Sequence, residues 1–194
     1  MIVDMVANYK ELREAYIRGE DFVVETKQGQ SGVIIMAPHG GGIEPTTDQI
    51  ALVIAGREHS YYAFKSMLGI DNEEMHLTSN NFDEPTALRM VRGVDRAVTI
   101  HGCADVEVVT YVGGRDRVLG AAIIKHLRKA GFRAEAAPGR ISGRDKRNIC
   151  NRTRSGEGVQ LELSRPQRNV LKNKRWLLAY AKAIRRAIAL DLLD

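Results

Sequence analysis

Cysteine is scarce in this chain: Cys103 and Cys150 are the whole complement, and no C-x-x-C pair exists. The even count permits one disulfide, but two cysteines in a chain that shows no leader point to free thiols. Long apolar runs are missing as well. None approaches the roughly 20 residues that a bilayer-spanning helix needs, so a membrane span is excluded. Met1-Ile-Val-Asp4 has no basic segment leading into an apolar stretch, so no secretory signal is expected and the expected location is the cytoplasm. No internal repeat, low-complexity tract or linker interrupts the 194 residues, which suit one compact domain over 1–194.

Charge is not scarce. Against 24 acidic side chains stand 29 basic ones, giving +5. The basic residues gather after residue 115, densest over Arg140 to Arg154 and Arg165 to Arg186. Three readings compete: a solvated helix face with surface loops, an electrostatic funnel for a carboxylate-rich substrate, and a nucleic-acid patch. Arg140 to Arg154 contains no aromatic residue, so a platform for stacking single-stranded bases is disfavoured.

Apolar periodicity outlines alternating strands and helices. Tyr9 to Arg18 has helical spacing, and Asp21 to Thr26 is β-rich. Gly32 to Ala37 reads as a buried strand, followed by a capping box at Thr46-Thr-Asp-Gln49 and a helix to about Arg57. His59 to Phe64 and Glu74 to Thr78 are short strand candidates. Asp83-Glu-Pro85 reads as a helix start in which the aspartate caps. Ala97 to His101 and Val106 to Val112 are strands, and Asp116 to Ala130 is a helix stopped by Gly131. Phe132 to Ala137 is a further strand, 139–155 is a polar loop, and 158–164 alternates as a strand does. Asn169 to Leu192 is a long amphipathic helix, free to pack on the sheet or on a partner chain. The expected fold is a single-domain α/β layered structure: a mixed, mostly parallel sheet flanked by helices.

Two of these strands end in chemistry. The first runs into Pro-His39-Gly-Gly-Gly-Ile-Glu44, and the strand at Ala97 ends on His101-Gly102. Two histidines and a glutamate form one of the standard protein donor sets for catalytic zinc, with a fourth position left for water. Glycines beside them let a metal and substrate approach the backbone. The bland alternative is a pair of hydrogen-bonded strand-end histidines and a solvated loop glutamate. His59, His76 and His126 show no ligand spacing and read as structural or surface residues. Cys103, two residues past His101, reads as a small buried hydrophobe.

These residues carry a resemblance. Ala-Pro-His39-Gly-Gly-Gly-Ile-Glu44-Pro, Leu77-Thr-Ser-Asn-Asn-Phe-Asp-Glu-Pro85, Ile100-His101-Gly102, Gly113-Gly114 and Gly158-Val-Gln-Leu-Glu-Leu-Ser164 resemble the poly-γ-glutamate hydrolases of phages and phage-derived bacterial genes. The likeness runs from about residue 20 to about residue 170. It implies a zinc-dependent amidohydrolase with a carboxypeptidase-like core. His39, Glu44 and His101 would be the zinc ligands and Glu162 the general base. The metallocarboxypeptidase likeness also suggests Asn151-Arg152 as a clasp for substrate carboxylate, although that pair follows His101 rather than preceding it. Arg152, Arg147 and Arg115, in that order, are candidates for the positive side chain near the scissile carbonyl. Asn80, Asn81 and Asp83 either orient the ligands or cap the next helix. The implied substrate is a γ-linked glutamate polymer. The alternatives are another N-acyl or peptidyl amino acid, or a phage-related nucleic-acid-binding accessory role.

Overall fold

The computed structural model describes residues 5–191, and one seven-stranded sheet runs through them. Its strands are β1 (Phe22–Lys27), β2 (Val33–Gly41), β3 (Ser60–Ser66), β4 (Arg96–Cys103), β5 (Thr110–Gly114), β6 (Ala134–Ala136) and β7 (Val159–Ser164). The helices are α1 (Tyr9–Ala15), α2 (Thr47–Ala55), α3 (Pro85–Arg92), α4 (Arg117–Lys129), α5 (Arg165–Val170) and α6 (Lys174–Asp191). The strand order is β1-β3-β2-β4-β7-β5-β6. The β1–β3 and β5–β7 pairs are antiparallel and the rest parallel, which is the mixed, mostly parallel sheet the sequence implied.

Strand β2 explains the layering. Val33, Ile35 and Ala37 enter one core with Ile50 and Ile54 of α2, Ile123 of α4 and Ile184 of α6. Ile34 and Met36 enter a second core with Leu12 of α1 and Ala87 and Val91 of α3. Successive side chains of a strand face opposite ways, so a strand apolar at every position must be covered on both faces. No helix among the described residues is long and apolar enough to cross a membrane.

Several local expectations are corrected. Glu74 to Thr78 is not a strand: a 3-10 turn occupies Asn72–Met75, and Met75 and Leu77 plug the second core instead of pairing with a neighbour. The terminal helix is two helices, α5 and α6, and Leu192 lies outside the described residues. The Thr46 capping box does not form. Thr46 has φ 80° and makes no side-chain cap, while Thr47 donates its hydroxyl to the Glu44 carbonyl at 2.8 Å. At α3 the cap is Glu84, not Asp83, whose carboxylate accepts from the Tyr9 amide instead. Helix α1 ends at Ala15, short of Arg18, and β5 starts at Thr110, leaving Val106 and Val108 exposed.

Glu84 also braces the fold. It is 1% exposed, and its Oε2 accepts from the Tyr62 hydroxyl at 3.0 Å and the Ala87 amide at 2.8 Å. Burial and the adjacent Glu84 charge hold the Tyr62 phenol well above its ordinary pKa. Glu84→Ala removes a helix cap and strands a buried hydroxyl, so a loss of about 2–4 kcal/mol is expected. A lower denaturant midpoint at unchanged slope checks this.

The winding positions the site. Strand β2 lies between β3, reached through α2 on one face, and β4, reached through α3 on the other. The β2–β4 pairing stops at Met36↔Thr99, so the two strands part before His39 and His101. Open α/β sheets bind ligands in the crevice at such a reversal, beyond the carboxyl ends of the strands.

Candidate metal centre

His39 sits near the end of β2, and the chain then doubles back. The Glu44 amide donates to the His39 carbonyl at 2.9 Å, closing a tight turn that carries the Glu44 carboxylate to the His39 ring. Gly41 makes this turn possible: it has φ 65°, and a Cβ there would lie 2.1 Å from the Ser66 carbonyl. No other residue fits such a backbone at such an approach. His101 occupies the matching end of β4, and its neighbour Gly102 donates its amide to Glu44 Oε2 at 2.9 Å.

The three side chains converge. His39 Nδ1 is 3.1 Å from Glu44 Oε1 and 3.2 Å from His101 Nδ1, and His101 Nδ1 is 3.6 Å from Glu44 Oε2. All three residues are buried. The tautomer of His39 follows from its partner: Nε2 lies 2.7 Å from the Leu77 carbonyl, which can only accept. In the neutral ring the lone pair is therefore on Nδ1, aimed at the other two groups. His101 Nε2 makes a long 3.5 Å contact with the Ser79 hydroxyl, leaving its Nδ1 on the same side.

Donor atoms this close share either a proton among themselves or a cation between them. Tetrahedral zinc with bonds of 2.0–2.2 Å separates its donors by about 3.3 Å. The separations of 3.1, 3.2 and 3.6 Å bracket that value, so the donor set fits such an ion. The main-chain carbonyl of Leu77 performs the orienting task for which Asn80, Asn81 and Asp83 were candidates. Asn80 instead donates to Asp145 at 3.3 Å.

Glu162 completes the group. It is in register with His101 on the adjacent parallel strand β7 and is 7% exposed. Its Oε1 accepts from Gln160 Nε2 at 2.8 Å, and Gln160 Oε1 accepts in turn from Asn148 at 2.8 Å. Sequence reasoning missed this relay, although Gln160, two residues before Glu162, shares its face of the strand. The two carboxyls are pushed apart in acidity. Burial, then the charge of Glu44, raises the Glu162 pKa well above the usual range, against smaller opposing pulls from His39, Gln160 and Arg168. At Glu44 burial pushes the same way but is outweighed by the two histidines, which hold it far below that range. Carboxylates separated in this manner can serve different chemical tasks.

A cavity of about 960 Å³ opens over these groups, with His76, Asn80, Arg140 and Arg144 on its walls. The His76 ring stands 4.1 Å from that of His39, so it belongs to the site region although its sequence spacing gave no sign of it. The arginines named from sequence lie elsewhere. Arg147 pairs with Asp145 at 2.8 Å, Arg152 donates to the carbonyls of Arg147 and Asn80, and Arg115 is exposed off the cavity wall. Asn151 is 3% exposed, and its side chain is spent on the carbonyls of Gly143 and Asp145 and the amide of Arg115. This pair braces the 139–155 loop, and the cavity wall draws its cations from Arg140 and Arg144 instead. Cys103 and Cys150 are free thiols, and neither joins the donor cluster. Burial raises the pKa of both.

Comparison with known proteins gives a consistent result. A family model described as poly-gamma-glutamate hydrolase matches residues 6–183. The SPbeta prophage-derived UPF0714 protein YoqZ of Bacillus subtilis (strain 168) is 37% identical over 175 residues, which are 89% of this chain and 63% of YoqZ. This chain therefore spans less than two thirds of that relative. Among solved structures, a bacteriophage poly-gamma-glutamate hydrolase matches with TM-score 0.93 and 34% identity, covering 98% of this chain and 99% of the other. A zinc-free apo structure of YndL matches with TM-score 0.90 and 31% identity, covering 96% and 98%.

Proposed function

The chain belongs to the poly-gamma-glutamate hydrolase family, and from that membership and the geometry of the centre we propose that it is a zinc-dependent amidohydrolase cleaving γ-glutamyl amide bonds of poly-γ-glutamate or a related carboxylate-rich amide. The observation that carries this reading is the meeting of His39, Glu44 and His101 at zinc-like donor separations beside the buried carboxyl of Glu162.

His39 and His101 would hold the ion through Nδ1 and Glu44 through its carboxylate. When bound, zinc supplies Lewis acidity, polarising the carbonyl and lowering the pKa of the attacking water to about 7. Glu162 takes the water's proton and passes it to the departing amine. Burial raises the proton affinity of its carboxylate, which suits it to accept that proton. Gln160, itself held by Asn148, keeps the Glu162 carboxyl from rotating away. The Gly102 amide and the Leu77 carbonyl lock the donors from behind, as outer partners do in metal sites. Arg140 and Arg144 on the exposed wall attract a polyanion to the cleft.

The test uses zinc-loaded protein with poly-γ-glutamate and with poly-α-glutamate, which carries the same charge on a different backbone. New amino termini are expected from the γ-linked polymer alone. Cleavage of small N-acyl-glutamates with the γ-polymer left intact would instead select the N-acyl amino acid alternative.

A further inference from the structure

A second groove beside the metal centre contains a buried cation without a matched anion. Arg168 of α5 is 7% exposed. Its Nη1 donates to the Pro45 carbonyl at 2.9 Å, while its Nε–H is buried with no acceptor. Among the described residues no carboxylate lies within ion-pairing distance of it. A guanidinium offers five N–H donors, and a buried charge is costly unless it is paired. A sequence that folds such a group into place and leaves it under-used provides for an incoming anion.

Its position is fixed relative to the centre. The guanidinium lies against Gly102, where an added Cβ would fall 2.7 Å from Arg168 Cζ and push it aside. Gly102 follows His101 and holds Glu44 through its amide. Arg168 and the exposed Arg165 line a groove of about 590 Å³ that shares Glu44 and the 102–106 segment with the cleft over the metal donors. The other charged groups there are already engaged. Asp105 accepts from the Tyr111 hydroxyl at 2.7 Å and the Glu107 amide at 2.9 Å, and Glu44 faces the histidines. The charged donors that remain for a ligand are those of Arg165 and Arg168.

Resting on the γ-glutamyl reading, we propose that this groove is a carboxylate-binding subsite, in which Arg168, with Arg165 at the rim, holds the free α-carboxylate of the glutamyl residue on the amine side of the scissile bond. That carboxylate is borne by the carbon attached to the scissile nitrogen, so it must lie close to the metal donors. A planar guanidinium suits it because two N–H groups can engage its two oxygens together.

The experiment compares two small substrates on zinc-loaded protein: γ-glutamyl-glutamate, and the same dipeptide with the amine-side α-carboxylate converted to carboxamide. In the wild type kcat/KM should favour the carboxylate by about 100-fold, and in Arg168→Met the preference should fall to within about threefold, through loss on the carboxylate substrate alone. Arg168→Lys should lie between them. Should Arg168→Met not fold, Arg168→Lys and Arg165→Gln carry the same comparison with smaller losses. A uniform slowing of both substrates, with the preference intact, would overturn the subsite and leave Arg168 a structural cation. A second readout does not need turnover: calorimetric binding of glutarate to zinc-free protein should weaken at least about tenfold in Arg168→Met. If the wild type cleaves neither dipeptide, glutarate alone decides the subsite, and the polymer assay decides the γ-glutamyl reading. Equal binding by wild type and variant overturns the subsite.

Discussion

Glu162→Gln is expected to lower kcat by about 10²–10⁴-fold while leaving zinc affinity nearly unchanged. The amide keeps the size of the carboxyl and its place in register with His101. It still has an oxygen to accept the Gln160 hydrogen bond that now reaches Glu162 Oε1 at 2.8 Å. What it loses is the capacity to take a proton. Because Glu162 is not among the three converging donors, the metal should remain in place. KM should move little, since the change falls on the transfer step rather than on substrate contacts. Turnover at the wild-type rate in this variant, with zinc bound, would remove Glu162 from the reaction.

Exhaustive chelation should abolish hydrolysis, and zinc should restore it. The stability change should be equally plain. A ligand that binds only the folded state adds about 2.7 kcal/mol when its free concentration is 100 times its Kd. For a chain of this length that corresponds to a rise in Tm of about 5–10 °C. The centre gives a reason for a large effect. Without a cation, two imidazole nitrogens and a carboxylate share a buried space in which their nearest atoms are 3.1–3.6 Å apart. Copper or nickel would also be held, as the divalent affinity order requires, so restoration should be assayed by rate as well as by occupancy. Hydrolysis that persists in protein shown to be free of metal would contradict the zinc reading.

The two histidines were legible because each follows an apolar run. Val33 to Ala37 and Ala97 to Ile100 must be buried strands, and in this topology their ends meet where β2 and β4 part. Contacts made by main-chain atoms could not be read. The Leu77 carbonyl and Gly102 amide would be there whatever the side chains, and only the fold brings them to the site. The metallocarboxypeptidase likeness pointed to Asn151-Arg152, yet the turns of the 139–155 loop aim Arg152 at the Asn80 carbonyl and Arg147 at Asp145. Arg168 comes to lie beside Gly102 on α5, which begins directly at the end of β7. Gln160 was visible in the alternation of β7 but unremarkable without Asn148 across from it. Thr46 satisfied the letter of a capping box. The return of the chain toward His39 set its backbone at φ 80°, where its hydroxyl cannot cap.

Calorimetric titration of zinc into metal-free protein, repeated for His39→Ala, Glu44→Ala, His101→Ala and Glu162→Gln, decides whether these residues are what the fold brings them together to be. Wild type and Glu162→Gln should each take a single tight equivalent. Each alanine variant should lose more than the roughly 10–100-fold that removal of an outer-shell partner costs. Equal zinc binding by wild type and the three alanine variants would mean that the centre formed by residues 39, 44 and 101 is not a metal site.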